Sequence, residues 1–278
     1  MKEITCKKGG VKMSIWCIVR RSILCMAVLV SSLITVPFAE ASIKEETVFL
    51  PTRPGVVQPF VVSYDDETQP GAIAILFAGS SGNIGINPNG QPVTNGNFLV
   101  RSRRIFVQNH LATVVIDCPS DYKDGMDTAF RISKDHAADV GLVIDEMNKK
   151  FPGLPVYLIG TSRGTISAAY VAEKLEGKVK GVVLTSTVFN EIDFSKGFTI
   201  PVLIVHNTED GCSASPYSGA INTSKSYRYP LVSVKGGSFA TGREKCGPFS
   251  PHGFLNKEEP TISTIANWIF GRPYKTEI

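Results

Sequence analysis

An α/β fold, with a sheet that starts antiparallel and continues mostly parallel, is predicted by three features of the sequence. Eight short β-rich runs occur along the chain, the later ones alternating with helical stretches. Several runs from the third onward are continuously apolar (AIAILFA, TVVID, VLIVH), as strands covered on both faces require. The 278 residues, 43% apolar and 19% charged, can bury a substantial core without a structural metal or a dense disulfide framework. The composition excludes a disordered tail, and no repeat period is present. A multi-span membrane protein is excluded too, because a single stretch is long and apolar enough to cross a bilayer.

That stretch lies at the start. Arg20 and Arg21 precede an apolar or hydroxylic run from Ile23 to Phe38, broken by Pro37, and Ala39-Glu40-Ala41 follows. Basic, apolar and small-residue regions in this order predict a signal peptide over residues 1–41, cleaved after Ala41, with Met13 an equally serviceable start. An uncleaved anchor is the alternative. The predicted product, residues 42–278, is one domain with 23 basic and 23 acidic residues, so the basic excess belongs to the leader. No basic patch remains to bind nucleic acid and no basic amphipathic helix to hold a membrane. The expected location is exported, either periplasmic or secreted.

The predicted strands are Thr47–Leu50, Val56–Tyr64, Ala72–Ala78, Ala112–Asp117, Val156–Gly160, Gly181–Thr185, Val202–His206 and Leu231–Val234. Helices are expected over about Phe98–Asn109, Ile132–Lys149, Arg163–Leu175 and Thr261–Phe270. In the second, Ile132, Val140, Val143, Ile144 and Met147 form one apolar stripe, and Lys149 and Lys150 suit the C-terminal dipole.

Gly160-Thr161-Ser162-Arg163-Gly164 is a G-x-S-x-G, a weak signal alone. Its setting adds the specificity: PVYLI before it reads as a buried strand and RGTISAAYVAEKL after it as a helix. A serine on such a turn projects its hydroxyl clear of the sheet, which makes Ser162 a candidate nucleophile. A serine hydroxyl needs a base at neutral pH. Of the four histidines, His110 and His136 fall in or at helices and His206 ends an apolar strand, where packing explains them. His252 lies in the loop KCGPFSPHGF, beyond the last strand, and is the candidate base. The orienting acid is expected from VLIVHNTEDGC: Asp210, with Glu209 beside it and Asp193 as the second candidate. A turn-capping role with Gly211 is the simpler account of Asp210.

The order Ser162, Asp210, His252, with the elbow setting, resembles the α/β-hydrolase family over essentially Thr47 to Phe270. The acid stands four residues beyond the histidine that ends its strand, a spacing that recurs in that family. The resemblance implies a central sheet of about eight strands flanked by helices. It also implies an oxyanion hole made by the backbone N–H of Arg163 and one in the loop LFAGSSGNIG. Ser80 is the expected second donor and Ser81 the runner-up; Ala78-Gly79 stands where many members carry His-Gly. Only Val188 to Ile200 separates the sixth strand from the seventh, too few residues for a cap domain. The site is therefore expected to be open, shaped by Gly79–Asn97 and Pro119–Phe130.

With the leader removed, Cys118, Cys212 and Cys246 remain, one pair and one spare. Cys212 and Cys246 lie in the loops of Asp210 and His252, so a bridge between them would tie acid to base. Cys118 follows an apolar strand and reads as a buried thiol. No cofactor or metal is expected, since no two His or Cys show ligand spacing. The expected function is an exported carboxylic-ester hydrolase acting on a small-molecule ester or acyl substrate through an acyl-enzyme. A peptidase or amidase using the same residues, and a non-catalytic binding protein on the same fold, are the alternatives.

Overall fold

The computed structural model describes residues 42–87, 89–92, 96–238 and 244–278. The expected signal peptide, residues 1–41, lies outside the described residues. The eight runs form the eight strands β1 (Ile43–Arg53), β2 (Val56–Asp65), β3 (Ala72–Phe77), β4 (Leu111–Ile116), β5 (Val156–Thr161), β6 (Gly181–Thr185), β7 (Val202–Asn207) and β8 (Leu231–Val234). They make one sheet in the order β1-β2-β4-β3-β5-β6-β7-β8. β1 and β2 pair antiparallel, as do β2 and β4, and every later pairing is parallel. At the centre Ile75 of β3 faces Val114 on one side and Leu158 on the other.

The continuous apolar runs are explained by helices on both faces. In β3, β4 and β5 every residue is buried. One face of the strands, including Ile73, Ile75 and Phe77, packs against helices α4 (Lys134–Lys150), α5 (Gly164–Lys174) and α6 (Tyr217–Tyr227). The other, including Ala72, Ala74 and Leu76, packs against α1 (Phe98–Arg101), α2 (Arg103–Gln108) and α7 (Glu258–Ile269). The alternation of side chains along a strand thus feeds two cores from one run.

Three departures from the sequence reading concern helices. The stretch expected over Phe98–Asn109 is two short helices joined at buried Ser102. A short helix, α3 (Thr128–Arg131), occupies the end of the segment read as loop; the Asp127 side chain caps it by accepting from the Phe130 N–H. Helix α6 had no counterpart in the reading: YSGAINTSKSY has no apolar stripe and buries only Ala220. It stops at Arg228, which takes the left-handed conformation at the C-terminus.

After β3 the chain crosses to β4 on one side, and after β4 it returns to β5 on the other. The C-terminal ends of β3 and β5 therefore flank the point where strand order reverses, the crevice where open α/β sheets bind ligands. The connection from β6 to β7 holds only a short 3-10 turn, Phe189–Glu191, and no cap domain.

Candidate active site

Ser162 follows β5 directly, at φ +51°, a conformation unfavourable for a residue with a Cβ. Its N–H donates to the Thr185 carbonyl of β6 at 3.0 Å, which fixes the turn. The flanking glycines answer crowding rather than unusual φ. A Cβ on Gly164 would lie 2.1 Å from the Phe77 carbonyl oxygen, and one on Gly160 would lie 2.5 Å from the Gly164 carbonyl oxygen. Helix α5 can start this close to β3 and to β5 only because both side chains are missing.

Asp210 and His252, 42 residues apart, meet beyond β7. His252 Nδ1 lies 2.8 Å from Asp210 Oδ2. A nitrogen facing a carboxylate carries its proton, so Nε2 holds the lone pair. That Nε2 is buried and has no hydrogen-bond partner among the described residues. The backbone of His252 is held too. Ser186 Oγ donates to its carbonyl at 2.7 Å, and its N–H donates to Ser250 Oγ at 3.2 Å. Gly253 packs so tightly that a Cβ there would lie 1.9 Å from the Pro248 carbonyl oxygen. Arg101 also clamps this loop, donating to the Gly253 carbonyl at 2.6 Å while paired with Glu258 at 2.7 Å.

His206, read as a packed core histidine, is fully buried as expected but is also a partner of the acid. Its Nε2 lies 3.0 Å from the Ser215 carbonyl and 3.2 Å from Asp210 Oδ2, two acceptors that require a proton on that nitrogen. Ser215 Oγ and the Cys212 N–H complete the shell of Asp210, at 3.2 and 2.9 Å. Burial is the largest single influence on this carboxyl and raises its pKa. The hydrogen bonds from His206 and His252, the charge of His252 and the Cys212 amide outweigh it and hold the pKa at about 2. Asp193 lies elsewhere, exposed, with its own Ser195 N–H. Glu209 turns away to the Gly236 N–H.

Cys212 and Cys246 form a disulfide. Cys118 is a buried free thiol, its pKa pushed up to about 12, chiefly by burial and then by Asp117.

Ser80 is also in the left-handed region, at φ +54°, in a turn closed by the Gly82 N–H on the Gly79 carbonyl at 3.0 Å. A Cβ on Gly79 would lie 3.0 Å from Ser162 Cβ, so this turn sits against the serine. Arg163 is the N-cap of α5. Neither the Ser80 N–H nor the Arg163 N–H has an acceptor among the described residues. The rest of the loop is fastened by buried Asp117, whose carboxylate accepts from the N–H groups of Ile84, Ile86 and Cys118 at 2.8–3.0 Å. Nothing in the sequence singled out Asp117 beyond its place at a strand end.

Ser80, Ser81, Ser162 and His252 line one cavity of about 460 Å³, with Ile84, Phe98 and Pro248 as apolar wall and Asn83 and Asn97 as polar wall. Eight strands in this order, with a sharp serine turn after β5 and the loops of Asp210 and His252 beyond the later strands, decide the fold. It is that of the α/β hydrolases. A family model described as serine aminopeptidase, S33, matches residues 122–197, about a quarter of the chain, which includes Ser162 and ends before Asp210. No curated protein matches the sequence.

Among solved structures, Est1E from Butyrivibrio proteoclasticus with ferulic acid bound is 14% identical with a TM-score of 0.60, covering 81% of this chain and 98% of that one. XC6422 from Xanthomonas campestris, described as an α/β serine hydrolase without lid, is 15% identical with a TM-score of 0.57, covering 84% and 96%. An α/β serine hydrolase homologue from Coxiella burnetii is 15% identical with a TM-score of 0.57, covering 80% and 95%. At these identities the similarity is one of fold.

Proposed function

We propose that the protein is an exported serine hydrolase that cleaves carboxylic esters. The observation that carries this reading is the contact of His252 Nδ1 with Asp210 Oδ2, which leaves Nε2 unpartnered at the cavity that Ser162 also lines. Ser162 Oγ attacks the ester carbonyl while His252 Nε2 takes its proton. Asp210 keeps the imidazole in the required tautomer and balances the imidazolium. The oxyanion receives the N–H groups of Arg163 and Ser80. Collapse expels the alcohol, which takes the proton from His252 and leaves an acyl-serine. Water, deprotonated by the same nitrogen, then releases the acid and restores Ser162.

An open cavity with no cap suits a small acyl group on an ester whose alcohol projects into solvent. A cold-adapted esterase from an Arctic intertidal metagenomic library among the structural neighbours supports ester chemistry, while the aminopeptidase match over the elbow supports an amide as the second reading. Export is supported by the leader-like segment and by the Cys212–Cys246 bridge, which an oxidising compartment preserves.

The test is fluorophosphonate labelling of the protein beside Ser162→Ala, followed by hydrolysis of a panel of p-nitrophenyl esters and aminoacyl anilides. Labelling lost in Ser162→Ala, with ester turnover above anilide turnover, is expected. Absence of labelling in the native protein would sink the hydrolase reading, and preferred anilide turnover would favour the amide reading.

A further inference from the structure

Arg131, the last residue of α3, is fully buried. One terminal nitrogen donates to Ser167 Oγ at 2.9 Å and the other to the Ser80 carbonyl at 3.1 Å, while Nε has no partner among the described residues. Among the described residues it makes no ion pair. The acidic groups that act on it are engaged elsewhere. Asp127 caps α3 through the Phe130 N–H, and Glu191 accepts from the Thr128 hydroxyl. The nearby Cys118 thiol stays protonated, and Arg163 adds a second positive charge. Burial is the main influence on Arg131 and lowers its pKa to about 10, which leaves it charged at neutral pH.

A buried cation without an anion is strongly unfavourable, and an apolar side chain of similar volume usually serves stability as well or better. Its position gives the charge another use. The loop packs directly on the guanidinium, for a Cβ on Gly82 would lie 2.7 Å from its terminal nitrogen. Ser80, whose carbonyl it binds, holds the strained φ that aims the turn at the cavity. That hydrogen bond also polarises the Ser80–Ser81 peptide, so it strengthens the Ser81 N–H, the other candidate donor.

We propose that Arg131 is a positioning residue for the oxyanion hole. Its unpaired guanidinium holds the Gly79–Gly82 turn in its strained form and supplies a positive field, which is neutralised when negative charge forms on the bound carbonyl oxygen. The proposal rests on the hydrolase reading. It makes the missing counter-ion the reacting substrate itself, in its tetrahedral, anionic form.

The test compares native protein, Arg131→Met and Arg131→Lys. Four quantities are measured: kcat and KM for p-nitrophenyl butyrate, inhibition by butylboronic acid (which forms an anionic tetrahedral adduct on serine) and the thermal midpoint. For Arg131→Met, kcat falls about 10- to 100-fold with KM within about twofold. Boronate affinity falls by the same factor, and the midpoint stays or rises. Arg131→Lys, which keeps the charge and loses the fork, lies between the two on kcat and boronate affinity.

A folded Arg131→Met with native kcat and boronate affinity overturns the proposal. So does one that loses kcat and thermal stability while binding boronate normally. Should Arg131→Met fail to fold, Arg131→Lys decides alone: kcat and boronate affinity must fall together at constant KM, and native values overturn the proposal. Native protein that neither hydrolyses the ester nor binds the boronate would instead overturn the hydrolase reading.

Discussion

Asp210 and His252, on one side of the cavity, stand on loops joined by the Cys212–Cys246 bridge, whereas the Gly79–Gly82 turn on the other side has no covalent tie. The side of Ser80 depends on buried polar groups, with Asp117 accepting three backbone N–H groups and Arg131 donating to the Ser80 carbonyl. The chain lengths explain the difference. Thirty-four residues separate the two cysteines, and the loops they join leave the sheet at its β7–β8 edge. The Gly79 turn leaves the middle of the sheet, where dense packing makes single buried charges effective anchors. The two sides should therefore fail under different insults: loss of the bridge for one, loss of a buried charge for the other.

The largest expected effect breaks the acid–base side at its centre. Asp210→Asn removes the partner that fixes the tautomer of His252, and kcat should fall on the order of 10⁴-fold with the fold retained. Steady-state kinetics beside circular dichroism checks this, and a loss below tenfold would remove Asp210 from the mechanism. The same carboxyl leaves a pH signature. Its folded pKa of about 2 lies below its ordinary 3.8, so its ionised form contributes stability on the order of 2 kcal/mol above pH 4. That contribution is lost as pH falls through about 2, and Asp210→Asn should show a shallower acid limb.

The bridge comes next. Replacing both Cys212 and Cys246 by Ser should lower stability by roughly 3–4 kcal/mol on the chain-entropy model. Dithiothreitol should lower the turnover of the native protein at temperatures where circular dichroism is unchanged. If both thiols became alkylatable with no change in rate, the bridge would have no part in aligning acid and base.

The smallest effect sharpens the contrast from the side of Ser80. His136 is buried against Phe77 and Phe130 with neither ring nitrogen hydrogen-bonded. Burial, and then the charges of Arg131 and Arg53, lower its pKa to about 3. The unfolded chain binds this proton near 6.5 and the folded chain does not, so stability drains away as pH falls from about 6.5 toward 3. His136→Leu should leave kcat and pH 7 stability close to native, and should denature at lower pH than the native protein. Equal acid midpoints would show that His136 does not titrate on unfolding.

Much of this was legible in the residues. The central strands stand out because a strand buried on both faces has to be apolar throughout, as AIAILFA is. The elbow stands out because Gly160 and Gly164 are needed wherever backbone approaches backbone within the reach of a Cβ. Helix α6 was invisible because it lies on the surface, buries one alanine and is built of Ser, Asn, Thr and Gly, which carry no helical period. His206 was read by its neighbours in sequence, an apolar strand, although its partner lies one turn of loop further on. Asp117 and Arg131 gave no signal, since the partners that tie them to the Gly79–Ile86 loop are main-chain N–H and carbonyl groups, which every residue carries.

The sequence by itself determined the strands of the sheet, their burial on both faces, the position of Ser162 and the chain order Ser162, Asp210, His252. Those follow from local hydrophobic period and from glycines at turns, which neighbouring residues settle among themselves. The sequence pointed to Asp210 and to a Cys212–Cys246 bridge while leaving Asp193 and Glu209 open; tertiary structure decided that Asp210 is the one that meets His252 and that the two cysteines are bonded. It also decided that a buried guanidinium stands behind Ser80. These are contacts between groups 34 to 51 residues apart, set by where strand ends emerge from the sheet. No local pattern encodes such distances, because the chain between the partners is free until the cores close around it.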